Sequence, residues 1–197
     1  MLTHKGSKTI ETERLILRRA CMEDAEPMFA NWASDPEVTK FLTWPTHETV
    51  EISQWVVESW IRESERENFY QWMIVLKEIG QPIGSISVVN MDDRVEKAEI
   101  GYCMGRKWWH MGIMTEALRA VMDFLFSDVG VNRIEARHDP RNPHSGGVMR
   151  KCGMKYEGTA RQADRNNQGI CDAAIYALLR SDLPIHDIDS ARAPGLY

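Results

Sequence analysis

Residues 98–117 pass from a strand-like stretch, Ala98-Glu-Ile-Gly-Tyr102, through a short basic and aromatic loop into the start of a helix at Met114-Thr-Glu-Ala117. That is an anion-binding geometry. Several backbone N–H groups at a helix N-terminus lack an intrahelical partner, and together with the helix dipole they favour a phosphate bound at that end. Gly112 lets the main chain of Met111, Gly112, Ile113, Met114 and Thr115 come close to such a ligand, because no Cβ stands in the way. Arg106 and Lys107 add positive charge just ahead of the turn, although two basic residues in a loop are also a common solvated pair.

A second segment, Arg133-Ile-Glu-Ala-Arg-His-Asp-Pro-Arg-Asn-Pro-His-Ser145, repeats the order of strand, turn and helix, and its helix ends at Lys151-Cys-Gly153. Together the two segments resemble the GNAT superfamily of acetyl-CoA-dependent N-acetyltransferases, and within it the Rim-like branch that acetylates protein N-termini. The shared patterns are Glu-Ile-Gly-Tyr at 99–102, the Trp-to-Ala run at 109–117, and Asn142 to Ser145 followed by Gly153. The resemblance spans about residues 11 to 183. His110 stands where that branch carries Gly, Met114 where it carries Ala or Gly, and Met154 where it carries Phe; the first two narrow the space around a pyrophosphate.

The resemblance implies an α/β (α+β) fold: a mixed, mostly antiparallel central sheet, flanked by helices and splayed around an acyl-CoA cleft between the Lys97 strand and the Arg133 strand. It implies acetyl-CoA as co-substrate, with the acetyl carbonyl at the backbone of Tyr102, Cys103 and Met104. It places a base at Glu99 in part of the family, and contacts to pantetheine and the CoA sulfur at Asn142 and Ser145. Where many relatives carry a Tyr four residues before the helix-ending Gly, this chain has Met149, which leaves Ser145 as the preferred acid.

On chemistry alone, acetyl transfer to an amine needs placement, a polarised carbonyl and a proton for the departing thiolate. Free N–H groups at a strand end supply the first two, by pairing as an added strand would. Glu99 draws a proton from the amine directly or through water, or else faces solvent. Ser145 serves equally as a helix cap.

At 197 residues, 43% hydrophobic and 27% charged, the chain suits one domain, set at residues 1–183 with a tail over 184–197. The net charge of −5 speaks against nucleic acid as a partner. No secretory h-region and no membrane-length apolar run occur, so a cytoplasmic chain without a membrane partner is expected, as monomer or homodimer. Cys21, Cys103, Cys152 and Cys171 lack C-x-x-C spacing and read as free thiols. His110, His138 and His144 lack ligand spacing, so no metal is expected. Trp44, Trp55, Trp108 and Trp109 are candidates for an acceptor groove, the last two reading better as packing.

The expected acceptor is a protein N-terminal α-amine of the ribosomal-protein type, acetylated by direct transfer in a ternary complex. A small-molecule amine (antibiotic, polyamine or amino acid) is the alternative. A CoA-binding sensor without turnover is a third reading, favoured by His110 and Met114.

Overall fold

The computed structural model describes residues 1–183; the expected tail lies outside the described residues. In chain order the strands are β1 (Ile10–Glu11), β2 (Leu15–Arg18), β3 (Gln71–Leu76), β4 (Gln81–Asp92), β5 (Lys97–Met104), β6 (Arg133–His138), β7 (Lys155–Asn166) and β8 (Gly169–Leu179). The helices are α1 (Ala25–Met28), α2 (Pro36–Thr39), α3 (Val50–Glu63), α4 (Ile113–Phe124) and α5 (Pro143–Lys151). The strands form one sheet in the order β1-β2-β3-β4-β5-β6-β8-β7. Every neighbouring pair is antiparallel except β5 and β6.

β3 is buried on both faces because helices cover both sides of the sheet. Successive strand residues point to opposite faces. Trp72 and Ile74 therefore join Ile86, Ile100 and the apolar stripe of α4, while Met73 and Val75 join Trp32 and Val57 under α1 and α3. The apolar positions Leu118, Val121, Met122 and Leu125, at helical spacing, lie wholly in the first of these cores.

One junction departs from regular pairing, and it positions the site. β5 and β6 meet through only three pairs, Lys97 with Arg133, Ala98 with Ile134 and Glu99 with Glu135. Past them β5 continues to Met104 beside β4, while β6 continues to His138 beside β8. The sheet opens there as a wedge. A bulge in β4 between Val88 and Asn90, opposite Ile100 and Glu99, adds local bending at the same level.

Several element boundaries are set by local contacts. The long helix α3 begins only at Val50; ahead of it the Thr46 hydroxyl is engaged 2.6 Å from that of Thr39 and the His47 N–H donates to Ala33. Residues 22–33 form a 3-10 turn (Met22–Asp24), α1 and a π-turn (Phe29–Ala33) in succession; Cys21 occupies the cap position, and Asp24 reaches back to accept from its N–H. α4 ends at Phe124 and widens into a π-turn, Leu125–Val129, that closes at Gly130. The final hairpin, β7 with β8, turns at Asn167 and Gln168. No helix among the described residues is long and apolar enough to cross a membrane.

Candidate active site

The wedge between β5 and β6 leads into a cavity of about 420 Å³. Glu99, Tyr102 and Cys103 line it from β5, Arg137 and His138 from β6, and Asn142 and Ser145 from the start of α5.

The backbone exposed at the opening follows from one peptide. Gly105 N–H donates to Ile83 of β4 at 2.9 Å, so the Met104 carbonyl at the other end of that peptide faces away from β4, where Trp109 Nε1 donates to it at 2.7 Å. Backbone groups of alternate strand residues share an edge. The N–H and C=O of Tyr102 and the N–H of Met104 thus face the side that β6 has left, whereas those of Cys103 face β4. Of the three residues expected to offer free backbone, two do. The Cys103 side chain lies on the α1/α3 face, 3.5 Å from Ser85 Oγ, and burial pushes its thiol pKa up. The described cysteines are all free.

Below the wedge, α4 begins at Gly112, whose φ of +74° suits a residue without a Cβ. The first N–H bonded back into the helix is that of Glu116, to Gly112 at 3.1 Å. The N–H groups of Ile113, Met114 and Thr115 therefore lack intrahelical partners, and no side chain caps them. Arg14, absent from the sequence reading, buttresses this turn: Nη1 donates to Met111 at 2.9 Å and Nε to Glu116 at 2.7 Å. Burial pushes the Glu116 carboxyl up, yet the bonds from Thr12 and Arg14 outweigh it and hold the group below its usual value. Arg106 stands apart from the turn, its Nε on Asp35 at 2.5 Å.

At α5 the N-cap position belongs to Asn142, with Pro143 following, so Ser145 is not the cap. The Ser145 hydroxyl donates to Tyr102 Oη at 3.1 Å, and Tyr102 Oη donates to the Ser145 carbonyl at 2.9 Å. Burial pushes the Tyr102 phenol well above its usual value, against the pull of Ser145, so it keeps its proton at neutral pH. His138 Nδ1 lies 2.8 Å from the Asp139 carbonyl and its buried Nε2 has no partner.

Glu99 is 5% exposed and both its oxygens meet Arg137, Oε1 with Nε at 2.6 Å and Oε2 with Nη2 at 2.7 Å. The pairing raises the Arg137 pKa, and Glu99 keeps further lone-pair positions on the two oxygens. Sequence reasoning missed Arg137 because its partner lies 38 residues away on another strand.

The far wall is built by the segment between α2 and α3. Asn167 at the β7–β8 turn donates through its N–H to Leu42 at 3.1 Å, and through Nδ2 to Thr39 and Trp44 at 2.8 Å each. Phe41, Trp44 and Trp60 line the cavity beneath this bridge. Trp55, by contrast, is 65% exposed on α3 and does not line the cavity. Trp108 is buried in the core and Trp109 holds the Met104 carbonyl, so both serve the loop. Among the described residues no group of three or more His, Cys, Asp or Glu is placed to hold a metal ion.

Residues 14–155 match the acetyltransferase (GNAT) domain model. The chain belongs to the GNAT acetyltransferase family. It is an acyltransferase of the N-acetyltransferase type. The N-acetyltransferase p20 of Bacillus licheniformis, itself uncharacterized, is 30% identical over 175 residues, covering 89% of this chain and 98% of its own. Among solved structures, the ribosomal-protein-S5-alanine acetyltransferase of Vibrio fischeri superposes with a TM-score of 0.78 at 20% identity, over 90% of this chain and 100% of that one. The microcin C7 self-immunity acetyltransferase MccE, solved with acetyl-CoA and AMP, gives a TM-score of 0.76 at 22% identity, over 85% of this chain and 93% of that one.

Proposed function

We propose that this GNAT enzyme acetylates the α-amine of a protein N-terminus, with acetyl-CoA lying in the β5–β6 wedge. The observation that carries the reading is that one cavity joins the donor side to the acceptor side. Tyr102 and Ser145 line it together with Glu99, Arg137 and the aromatic wall held by the Asn167 bridge, which leaves about 420 Å³ for a chain end. The likeness to an S5-alanine acetyltransferase supports the same acceptor.

The residues fit the donor. The N–H and C=O of Tyr102 and the N–H of Met104 are placed to bond pantetheine amides as an added strand would. The free N–H groups of Ile113, Met114 and Thr115 at the head of α4 suit its pyrophosphate. The donor supplies an activated acetyl thioester. Asn142 at the mouth of α5 flanks the pantetheine, and Ser145 Oγ, paired with a phenol that stays protonated, holds a proton ready for a thiolate. Glu99 accepts the amine's proton, directly or through water, while Arg137 fixes the carboxylate in place.

An α-amine asks little of such a base. Its pKa is about 7.7–8.0 against about 10.4 for lysine, a difference of ~3 kcal/mol in deprotonation. The test is competition between a peptide with a free N-terminus and no lysine and a peptide with a blocked N-terminus and one lysine, read by mass spectrometry. Acetylation of the free N-terminus is expected. Modification of the lysine peptide alone overturns the choice, and modification of neither moves the acceptor to small-molecule amines.

A further inference from the structure

Gln71 opens β3 and lines the cavity on the side away from the donor wedge. It is 8% exposed, and its Nε2 is buried without a hydrogen-bond partner. Its main chain is fixed, since its N–H donates to Ser7 Oγ at 2.8 Å. Buried amide donors are almost always paired, and one left open beside a cavity marks a bond that another molecule completes.

The register shows where that molecule lies. Gln71 pairs with Ser87 and Ser87 with Gly101, so these three share a row, on the face that Glu99 and Cys103 also take two residues to either side of Gly101. Neighbouring strands are about 4.8 Å apart, which sets Gln71 about 10 Å from the β5 edge where the acetyl group is delivered. Ser87 and Gly101 are the small residues of the intervening row. Val89, displaced by the β4 bulge, closes over Gly101, where a Cβ would stand 2.8 Å from Val89 Cγ1. Glu99, Gly101, Ser87 and Gln71 all line the same cavity, so an amine held near Glu99 has a path for its own backbone over Gly101 and Ser87 toward Gln71. The gap left after the side chain and a hydrogen bond of about 2.9 Å is of the size one residue's backbone spans.

We infer that Gln71 is the residue that reads the acceptor as a peptide: its Nε2–H donates to the carbonyl oxygen of the acceptor's first peptide group. The inference rests on the N-terminal reading and adds how the site tells a chain terminus from a plain alkylamine. A site that hydrogen-bonds a substrate group discriminates strongly against analogues lacking it, because the buried partner is then left unpaired.

The experiment compares kcat/KM for a short free-N-terminus peptide and for a primary alkylamine with no carbonyl, in the wild type and in Gln71→Met. Taking the peptide-to-alkylamine ratio within each protein, then comparing proteins, cancels the amines' own basicity. The ratio is expected to fall at least 10-fold in Gln71→Met, chiefly through KM, with the melting temperature unchanged or raised because an unpaired buried polar group has been removed. Gln71→Asn, with the amide retained on a shorter arm, recovers part of the preference. An unchanged ratio in a folded Gln71→Met overturns the role of Gln71 while leaving the N-terminal reading intact. A marked loss of stability with an unchanged ratio shows a structural residue and overturns it equally. If the wild type acetylates no peptide and does acetylate the alkylamine, the N-terminal reading itself fails, and the role of Gln71 with it.

Discussion

Glu99 and Arg137 show how much chemistry one side-chain pair can hide from a linear reading. The carboxylate's position on β5 is legible, since it precedes Gly101 and Tyr102 in a recognisable run, but its clamp comes from a strand joined to β5 by only three pairs. Glu99→Gln is predicted to lower turnover about 10²-fold, the ordinary scale for loss of a general base, with acetyl-CoA affinity unchanged. Arg137→Met is the contrasting variant. It removes the fork that holds the carboxylate in place, so turnover should fall by less than in Glu99→Gln, with acetyl-CoA affinity unchanged. Steady-state rates between about pH 6 and 9 check both, and equal profiles for Glu99→Gln and the wild type would remove Glu99 from the mechanism. Ser145 carries a related lesson. Ser near a helix start suits a cap in any sequence, yet Asn142 and Pro143 begin α5 earlier and turn the hydroxyl to Tyr102, a contact spanning 43 residues.

At the level of elements, the turn from β5 into α4 was the most readable part of the chain because all its determinants are local: a glycine with positive φ, free N–H groups behind it and an apolar stripe at helical spacing. Gly112→Val tests that turn. A β-branched residue at φ +74° is strained and brings a side chain to the phosphate approach, so the Kd for CoA should rise about 10-fold or more, equivalent to ~1.4 kcal/mol, as measured by calorimetry. An unchanged Kd would mean that the phosphate lies elsewhere. The entry to α3 was less readable, since what displaces its start is a set of contacts to α2 and the π-turn. His47 sits at that entry, buried, with Nδ1 2.7 Å from Ser53 Oγ of α3. Burial lowers its pKa below the usual 6.5, so the folded state favours the neutral ring. The resulting stability is complete above about pH 6.5 and is lost as the pH falls through the lower folded value. Melting curves should show a drop as the pH falls below about 6.5 that is smaller in His47→Gln; equal slopes would clear His47 of the effect.

For the whole molecule, the antiparallel meander of β3, β4 and β5 follows from alternation and short turns, whereas the roof over the cavity depends on contacts as distant as Asn167 with Thr39, 128 residues apart. Periodicity is blind to such closures. The junction of β5 with β6 also bears on how the molecule comes apart. Five strands stand on one side of it and three on the other, held across the sheet by three rungs. It is a seam. A CoA molecule bonded as proposed, to Tyr102 on one side and to the α5 start on the other, would be a strut across it, so the donor would brace the seam as well as supply an acetyl group. At a hundredfold excess over its Kd, CoA should add ~2.7 kcal/mol to stability. Amide exchange should slow most at Ala98, Ile134 and their rung neighbours, and little in β7. Uniform slowing along the whole sheet would mean that the two plates already move as one, and that the enzyme waits for its donor rigid and open.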